Sequence, residues 1–219
     1  MIKVLPSSNP CPEDKLLGYS KKLMELGVEY LHCDVMDGEF VENSCLNFET
    51  LKYVRDNSNI LLDVHLMTYN LFDTVKKFSS LKPNIITFHY EALKSEREFF
   101  KIVKLLKNKD ILVGLAIKPQ TPIDVITRLI NYVDLILIMS VQPGKSGQMF
   151  LESSYEKIKT IKKLIKDKNI IIEVDGGINS ENSQKVISCG AEFLVMGSAF
   201  YNAKDKLELL CNIDSHYKK

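Results

Sequence analysis

The 219-residue chain has no apolar run near the roughly 20 residues that a membrane-crossing helix requires. Its first residues, Met1-Ile2-Lys3-Val4-Leu5-Pro6, lack the long apolar core of a secretion signal, so the expected location is cytoplasmic with no membrane partner. The five cysteines (Cys11, Cys33, Cys45, Cys189 and Cys211) are odd in number, scattered and never in a C-x-x-C pair. That spacing argues against a disulfide framework or a zinc knot and predicts reduced thiols. Net charge is nearly absent: 29 Lys and Arg face 28 Asp and Glu, a formal +1, which creates no global field for polyanions. The lysine clusters Lys162-Lys163 and Lys166-Asp167-Lys168 read as solvated helix surface, and no nucleic-acid partner is expected. Low-complexity linkers and composition shifts are also missing, and the expectation is one domain over 1–219. No G-x-G-x-x-G turn follows the first strand-like run, where Leu5-Pro6-Ser7-Ser8-Asn9-Pro10 stands instead, which disfavours a dinucleotide-binding open sheet.

What is present alternates. Short Val-, Ile- and Leu-rich runs predict strands at Lys3–Leu5, Tyr30–Asp34, Leu61–Leu66, Ile85–Phe88, Leu112–Ala116, Leu135–Met139, Ile170–Val174 and Phe193–Met196, the pattern of parallel strands buried on both faces. Amphipathic stretches separate them: Glu13–Leu26, Phe48–Asn57, Leu71–Leu81, Glu98–Leu106, Pro122–Asn131, Tyr155–Leu164, Ser180–Cys189 and Lys204–Cys211. Phe99, Ile102, Val103 and Leu106, at i, i+3, i+4 and i+7, illustrate the helical stripe. Gly27 and Gly190 stand where helices end, and Asp124 and Ser180 near helix starts are candidate caps. Eight strand–helix units in about 220 residues predict an α/β fold, a single (β/α)8 TIM barrel near the lower size limit.

The chemistry-bearing residues fall at the C-terminal strand ends, which form the active-site face of such a barrel. His32 and Asp34, two apart on one strand, project to the same side. His65 ends the third strand and Asp175 the seventh. Any one of these is more often a hydrogen-bonded structural group, but four at equivalent positions form a candidate divalent-metal set. Mixed N/O ligation suits Zn, Fe, Mn or Co without choosing among them. Asp63 shares parity with His65 two residues deeper, either orienting an imidazole or simply buried and paired. Glycine-rich turns follow the last three strands: Gly144-Lys145-Ser146-Gly147-Gln148, Gly176-Gly177 and Gly197-Ser198. Small residues let backbone N–H groups approach an anion, and loops after strands seven and eight commonly hold phosphate. The expected ligand is a phosphorylated small molecule.

The strings His32-Cys33-Asp34-Val35-Met36-Asp37-Gly38, Asp63-Val64-His65-Leu66-Met67, Phe88-His89-Tyr90-Glu91-Ala92, Met139-Ser140-Val141-Gln142-Pro143-Gly144, and Glu173-Val174-Asp175-Gly176-Gly177 resemble, in order and over nearly the whole chain, the ribulose-phosphate 3-epimerase family. That resemblance implies one divalent metal on His32, Asp34, His65 and Asp175, with Asp34 and Asp175 also the catalytic acid–base pair. It implies Met36, Met67 and Met139 as caps over an enediolate, although plain core filling is the simpler reading of a methionine. Substrate and phosphate contacts would come from Ser7, His65, Gly144, Gly147, Gln148, Gly176, Gly177, Gly197 and Ser198. Homo-oligomers are common in the family, so one is expected here.

Departures from the family pattern cluster on loops. Ungapped spacing puts the family's first-strand serine at Pro10, with Ser7 or Ser8 as substitutes if the loop shifts. Glu39 and Glu42 replace a usual histidine and proline, Lys145-Ser146 interrupts a usual Gly-Phe-Gly-Gly, and Leu71 replaces a proline. A 3-epimerase for a hexulose 6-phosphate such as allulose 6-phosphate, and a non-catalytic sugar-phosphate-binding barrel, are therefore alternatives. A decarboxylating lyase of similar fold would need an Asp-x-Lys-x-x-Asp cluster, and no lysine lies between His32 and Gly38.

Overall fold

The computed structural model describes residues 2–217. Its strands are β1 (Lys3–Pro6), β2 (Tyr30–Asp37), the two-residue β3 (Ser44–Cys45), β4 (Leu61–Met67), β5 (Ile85–His89), β6 (Leu112–Ile117), β7 (Leu135–Met139), β8 (Ile171–Asp175) and β9 (Phe193–Met196). They form one sheet in the order β1-β9-β8-β7-β6-β5-β4-β2-β3, parallel except for β3, which pairs antiparallel with Met36 and Asp37. A bridge between Ser7 and His32, with Ser8 N–H donating to His32 O at 2.8 Å, joins β1 to β2 and closes the ring. The architecture is the predicted (β/α)8 barrel.

Helices α1 (Leu16–Glu25), α2 (Phe48–Asn57), α3 (Leu71–Phe78), α4 (Glu96–Lys107), α5 (Ser153–Leu164), α6 (Ser183–Ser188), α7 (Ser198–Tyr201) and α8 (Lys206–Ile213) surround it. In α4 the Ser95 side chain caps the Glu98 N–H, and Phe99, Ile102, Val103 and Leu106 are buried against the strands. Each such side chain stabilises the fold by about 1.5–3 kcal/mol relative to exposure. Gly27 and Gly190 sit just past α1 and α6 at φ 77° and 117°, the left-handed termini their positions predicted. No helix among the described residues is long and apolar enough to cross a membrane.

The expected helix over Pro122–Asn131 is instead two 3-10 turns, Ile123–Ile126 and Ile130–Tyr132. β-Branched Ile123, Val125, Ile126 and Thr127 disfavour a continuous helix there. Asp124 is consequently no helix cap. Nor is Ser180, since α6 begins later and the Asn179 side chain takes the Glu181 and Asn182 N–H groups at 2.9 and 3.2 Å.

Leu5, Ile85, Leu135, Leu137, Phe193 and Val195 fill the barrel interior. Among them lie the fully buried polar side chains of His32, Asp63, Thr87 and Glu173. His32 Nδ1 is 2.5 Å from Asp63 Oδ2 and 3.4 Å from Glu173 Oε1. Two neighbouring carboxyls in so dry a place do not both ionise. Burial, and then the Asp63 charge, push Glu173 well above the usual carboxylate range, so it keeps its proton.

Two stability predictions follow from this interior. Gly114 pairs with Thr87 across β5 and β6, and a Cβ there would lie 2.1 Å from Thr87 Oγ1. G114A should therefore destabilise the protein by about 1–3 kcal/mol in urea unfolding; an unchanged midpoint would contradict the packing. For Glu173, the folded state holds a proton that the unfolded state releases above its ordinary pKa near 4.5. Stability is thus lost as pH rises above that value. E173Q, which mimics the protonated acid, should gain in Tm over wild type in EDTA as pH goes from about 4.5 to 8. A Tm difference that stays flat with pH counts against a protonated Glu173.

Candidate active site

The pleat of parallel strands determines what converges at the C-terminal rim. Asp34 pairs in register with His65, and Met139 with Asp175, and strand parity turns all four side chains, with that of His32, into the barrel. His32 Nε2 lies 3.3 Å from His65 Nδ1, and each of these nitrogens lies 3.4 Å from Asp34 Oδ1 and 3.8 Å from Asp175 Oδ2. The four donor atoms are all within 4.8 Å of one another. A tetrahedral site with bonds of about 2.1 Å has ligand separations of about 3.4 Å, so the donor set fits a divalent cation. Four lone-pair atoms this close repel one another unless a proton or metal lies among them.

The outer face of each imidazole is equally defined. His32 Nδ1 meets Asp63, the orienting role that parity made possible for that carboxylate. His65 Nε2 meets His89 Nε2 at 2.9 Å, and His89 Nδ1 meets Glu91 Oε2 at 3.0 Å. Glu91 Oε1 in turn accepts the Lys118 N–H at 2.8 Å and the Thr121 hydroxyl. His89 is fully buried between the rings of Phe40 and His65, at 4.8 and 5.0 Å. The family resemblance implies no role for His89 or Glu91. His89 ends β5, and Glu91 lies in the 3-10 turn Tyr90–Ala92 that follows, where the two-residue strand period no longer applies.

Electrostatics divide the carboxylates. Burial alone would raise Asp34, but the charge and hydrogen bonds of His32, with His65, outweigh it and hold the carboxyl far below its usual range. Burial and then the Asp34 charge push Asp175 up to about 6. Burial would lower His32, yet Asp63 and Asp34 raise it well above the usual imidazole range; protons compete with a cation for this centre. Burial pulls His89 down to about 4 despite Glu91, while His89 contacts and the Lys118 N–H bring Glu91 to about 2 against its own burial.

Above the donors opens a cavity of about 630 Å3, a size suited to a small ligand. Ser7, Asp34 and Asp175 line its floor, with the thioethers of Met36, Met67 and Met139. Of Ser7 and Pro10, Ser7 is the one placed beside Asp34. It donates to Asp34 Oδ2 at 2.6 Å, whereas Pro10 lies in a turn closed by Cys11 N–H to Ser8 O at 2.9 Å. Gly144, Gly147, Gln148, Gly176, Gly177, Gly197 and Ser198 line the opposite wall. A Cβ on Gly177 would lie 2.4 Å from Phe150 N, so that turn admits only glycine. Gln148 braces its own loop by donating to Gln142 O and Lys145 O at 2.7 and 2.8 Å. His32 and His65 are fully buried and do not line the cavity; they reach the centre through one nitrogen each. At the rim, two of the unusual loop residues meet, Lys145 Nζ lying 3.2 Å from Glu42 Oε2.

Comparison with known proteins identifies the family. The profile of the "Ribulose-phosphate 3 epimerase family" matches residues 4–201. The ribulose-phosphate 3-epimerase of Buchnera aphidicola is 40% identical over 186 residues, covering 83% of this chain and 80% of that protein. That of Bacillus subtilis is 35% identical over 216 residues, covering 97% and 98%. Among solved structures, the tryptophan synthase alpha-subunit of Pyrococcus furiosus superposes with a TM-score of 0.69 at 13% identity, covering 98% of both chains, a likeness of fold alone. The family profile spans most of the chain and both relatives exceed 30% identity, so this chain belongs to the ribulose-phosphate 3-epimerase family.

Proposed function

We propose that the protein is a metal-dependent epimerase that inverts C3 of D-ribulose 5-phosphate to give D-xylulose 5-phosphate. One observation carries the reading: the convergence of His32, Asp34, His65 and Asp175 donor atoms within 4.8 Å, beneath the cavity that Asp34 and Asp175 line. Family membership supplies the substrate class. A divalent ion on these four residues (Zn, Fe, Mn or Co) would contribute Lewis-acid stabilisation of developing negative charge on the substrate oxygens.

The chain's own groups account for the proton traffic. Inversion next to a ketone requires removing the C3 proton from one face and returning a proton to the other. Asp34 on β2 and Asp175 on β8 approach the cavity from strands separated by β9 and β1, and we assign them as the two exchanging acid–base groups. Ser7 holds the second oxygen of Asp34 and so orients that carboxylate. Met36, Met67 and Met139 wall the reacting carbons with polarizable apolar surface that donates no proton. The turns at Gly144–Gly147, Gly176–Gly177 and Gly197–Ser198 are assigned to the phosphate.

The rim pair Glu42 and Lys145 favours a second reading of the substrate, a hexulose 6-phosphate, because loops at the mouth are positioned to sense sugar length. The five free thiols are in keeping with a reducing cytoplasm. A homo-oligomer, a single-domain chain and the absence of nucleic-acid or membrane partners complete the proposal.

The test is exchange of the C3 proton with deuterated solvent for pentulose and hexulose phosphates, with each metal added in turn. Ribulose 5-phosphate should exchange fastest. D34N and D175N should each lower exchange by at least about 100-fold while leaving the circular dichroism spectrum unchanged. Exchange with no substrate under any metal would favour a binding barrel without catalysis. Faster exchange of a hexulose 6-phosphate would transfer the assignment to that sugar.

A further inference from the structure

Each imidazole of the four-donor centre must present a bare nitrogen to a cation, and a neutral imidazole has only one. Which nitrogen carries the proton is decided by what its outer side meets. For His32 the answer is local: Asp63, a carboxylate, accepts at Nδ1, so Nε2 is free. His65 has no carboxylate on its outer side. Its Nε2 faces another imidazole, His89 Nε2, at 2.9 Å, and two imidazole nitrogens can share a hydrogen bond in either direction. The direction is fixed one residue further out. Glu91 Oε2 accepts from His89 Nδ1 at 3.0 Å, which leaves His89 Nε2 without a proton and able only to accept from His65 Nε2–H.

We infer that Glu91, acting through His89, is a positioning residue that fixes the tautomer of His65 so that its Nδ1 faces the centre without a proton. The inference rests on the reading of His32, Asp34, His65 and Asp175 as a metal site. Glu91 is itself held in place. Its Oε1 accepts from the Lys118 N–H and the Thr121 hydroxyl, on the segment that follows β6. Phe40 covers the free face of His89, with Lys118 Nζ 3.9 Å above the Phe40 ring. Neither His89 nor Glu91 lines the substrate cavity, so their effect on the centre is exerted through His65.

Glu91→Gln tests the direction of the chain with little change in shape. The Lys118 N–H requires an acceptor, which directs the glutamine oxygen toward it and the amide nitrogen toward His89 Nδ1. Two donors would then meet unless His89 transfers its proton to Nε2. His65 must in turn accept at Nε2 and carry its proton on Nδ1, aimed at the metal position. His89→Gln, by contrast, keeps a donor for Glu91 and an acceptor for His65.

The experiment uses the full chain labelled with 15N-histidine, together with zinc titrations against a competing chelator. Long-range 1H–15N correlation should show the Nε2–H tautomer at His65 in metal-free wild type and the Nδ1–H tautomer in E91Q. Zinc affinity should fall roughly 10- to 100-fold in E91Q and stay within about threefold of wild type in H89Q. Equal affinity in E91Q and wild type overturns the inference. So does an Nδ1–H tautomer at His65 in the metal-free wild type, a measurement that stands even if E91Q does not fold. Failure of the metal reading looks different: wild type then takes up no zinc, while His65 still shows Nε2–H and E91Q still reverses it.

Discussion

Four lone-pair atoms from three strands are brought close together beneath a cavity that Asp34 and Asp175 line, with hydrogen-bond partners fixed behind the two imidazoles and behind Asp34. That is the constraint on which the rest of the structure depends. Two imidazole nitrogens 3.3 Å apart, flanked by two carboxylate oxygens, are a repulsive arrangement until something positive sits among them. The surrounding groups all work toward keeping them there. Asp63 fixes His32, the His89–Glu91 pair meets the far nitrogen of His65, and Ser7 holds the unused oxygen of Asp34. Each of these partners lies on a strand or just beyond its end, where the barrel is most rigid.

The barrel makes this possible through register and parity. His32 pairs with Asp63, and Asp34 with His65, so two adjacent strands deliver a donor and its orienting carboxylate at one level and two donors at the next. The cost is a polar interior. Asp63 and Glu173 sit in the same dry space beneath the site, where burial and then the Asp63 charge push the Glu173 carboxyl well above its usual range. Gly114, the one inward position without a side chain on β6, gives Thr87 its room.

Much of this was legible in the chain. Short doubly buried runs read directly as parallel strands, because burial on both faces erases alternation. The pairing of His32 with Asp34 needed only the two-residue period. Loop geometry was less legible. Ungapped spacing points to Pro10, but the chain turns at Ser8–Cys11 and it is Ser7, just past β1, that reaches Asp34. The segment 122–131 carried an apolar pattern, yet its β-branched residues settle into 3-10 turns. The contact between Glu42 and Lys145, 103 residues apart, has no local signature at all. His89 and Glu91 have none either, because Glu91 lies in a 3-10 turn beyond β5 and a partner behind an imidazole stands out only once that imidazole's orientation is known.

The most direct measurement of the central claim is anomalous scattering from crystals soaked in Co2+ or Mn2+. One metal peak should lie within bonding distance of His32 Nε2, His65 Nδ1, Asp34 and Asp175. A centre that stays empty at saturating metal, or a peak bound by other residues, would contradict the account.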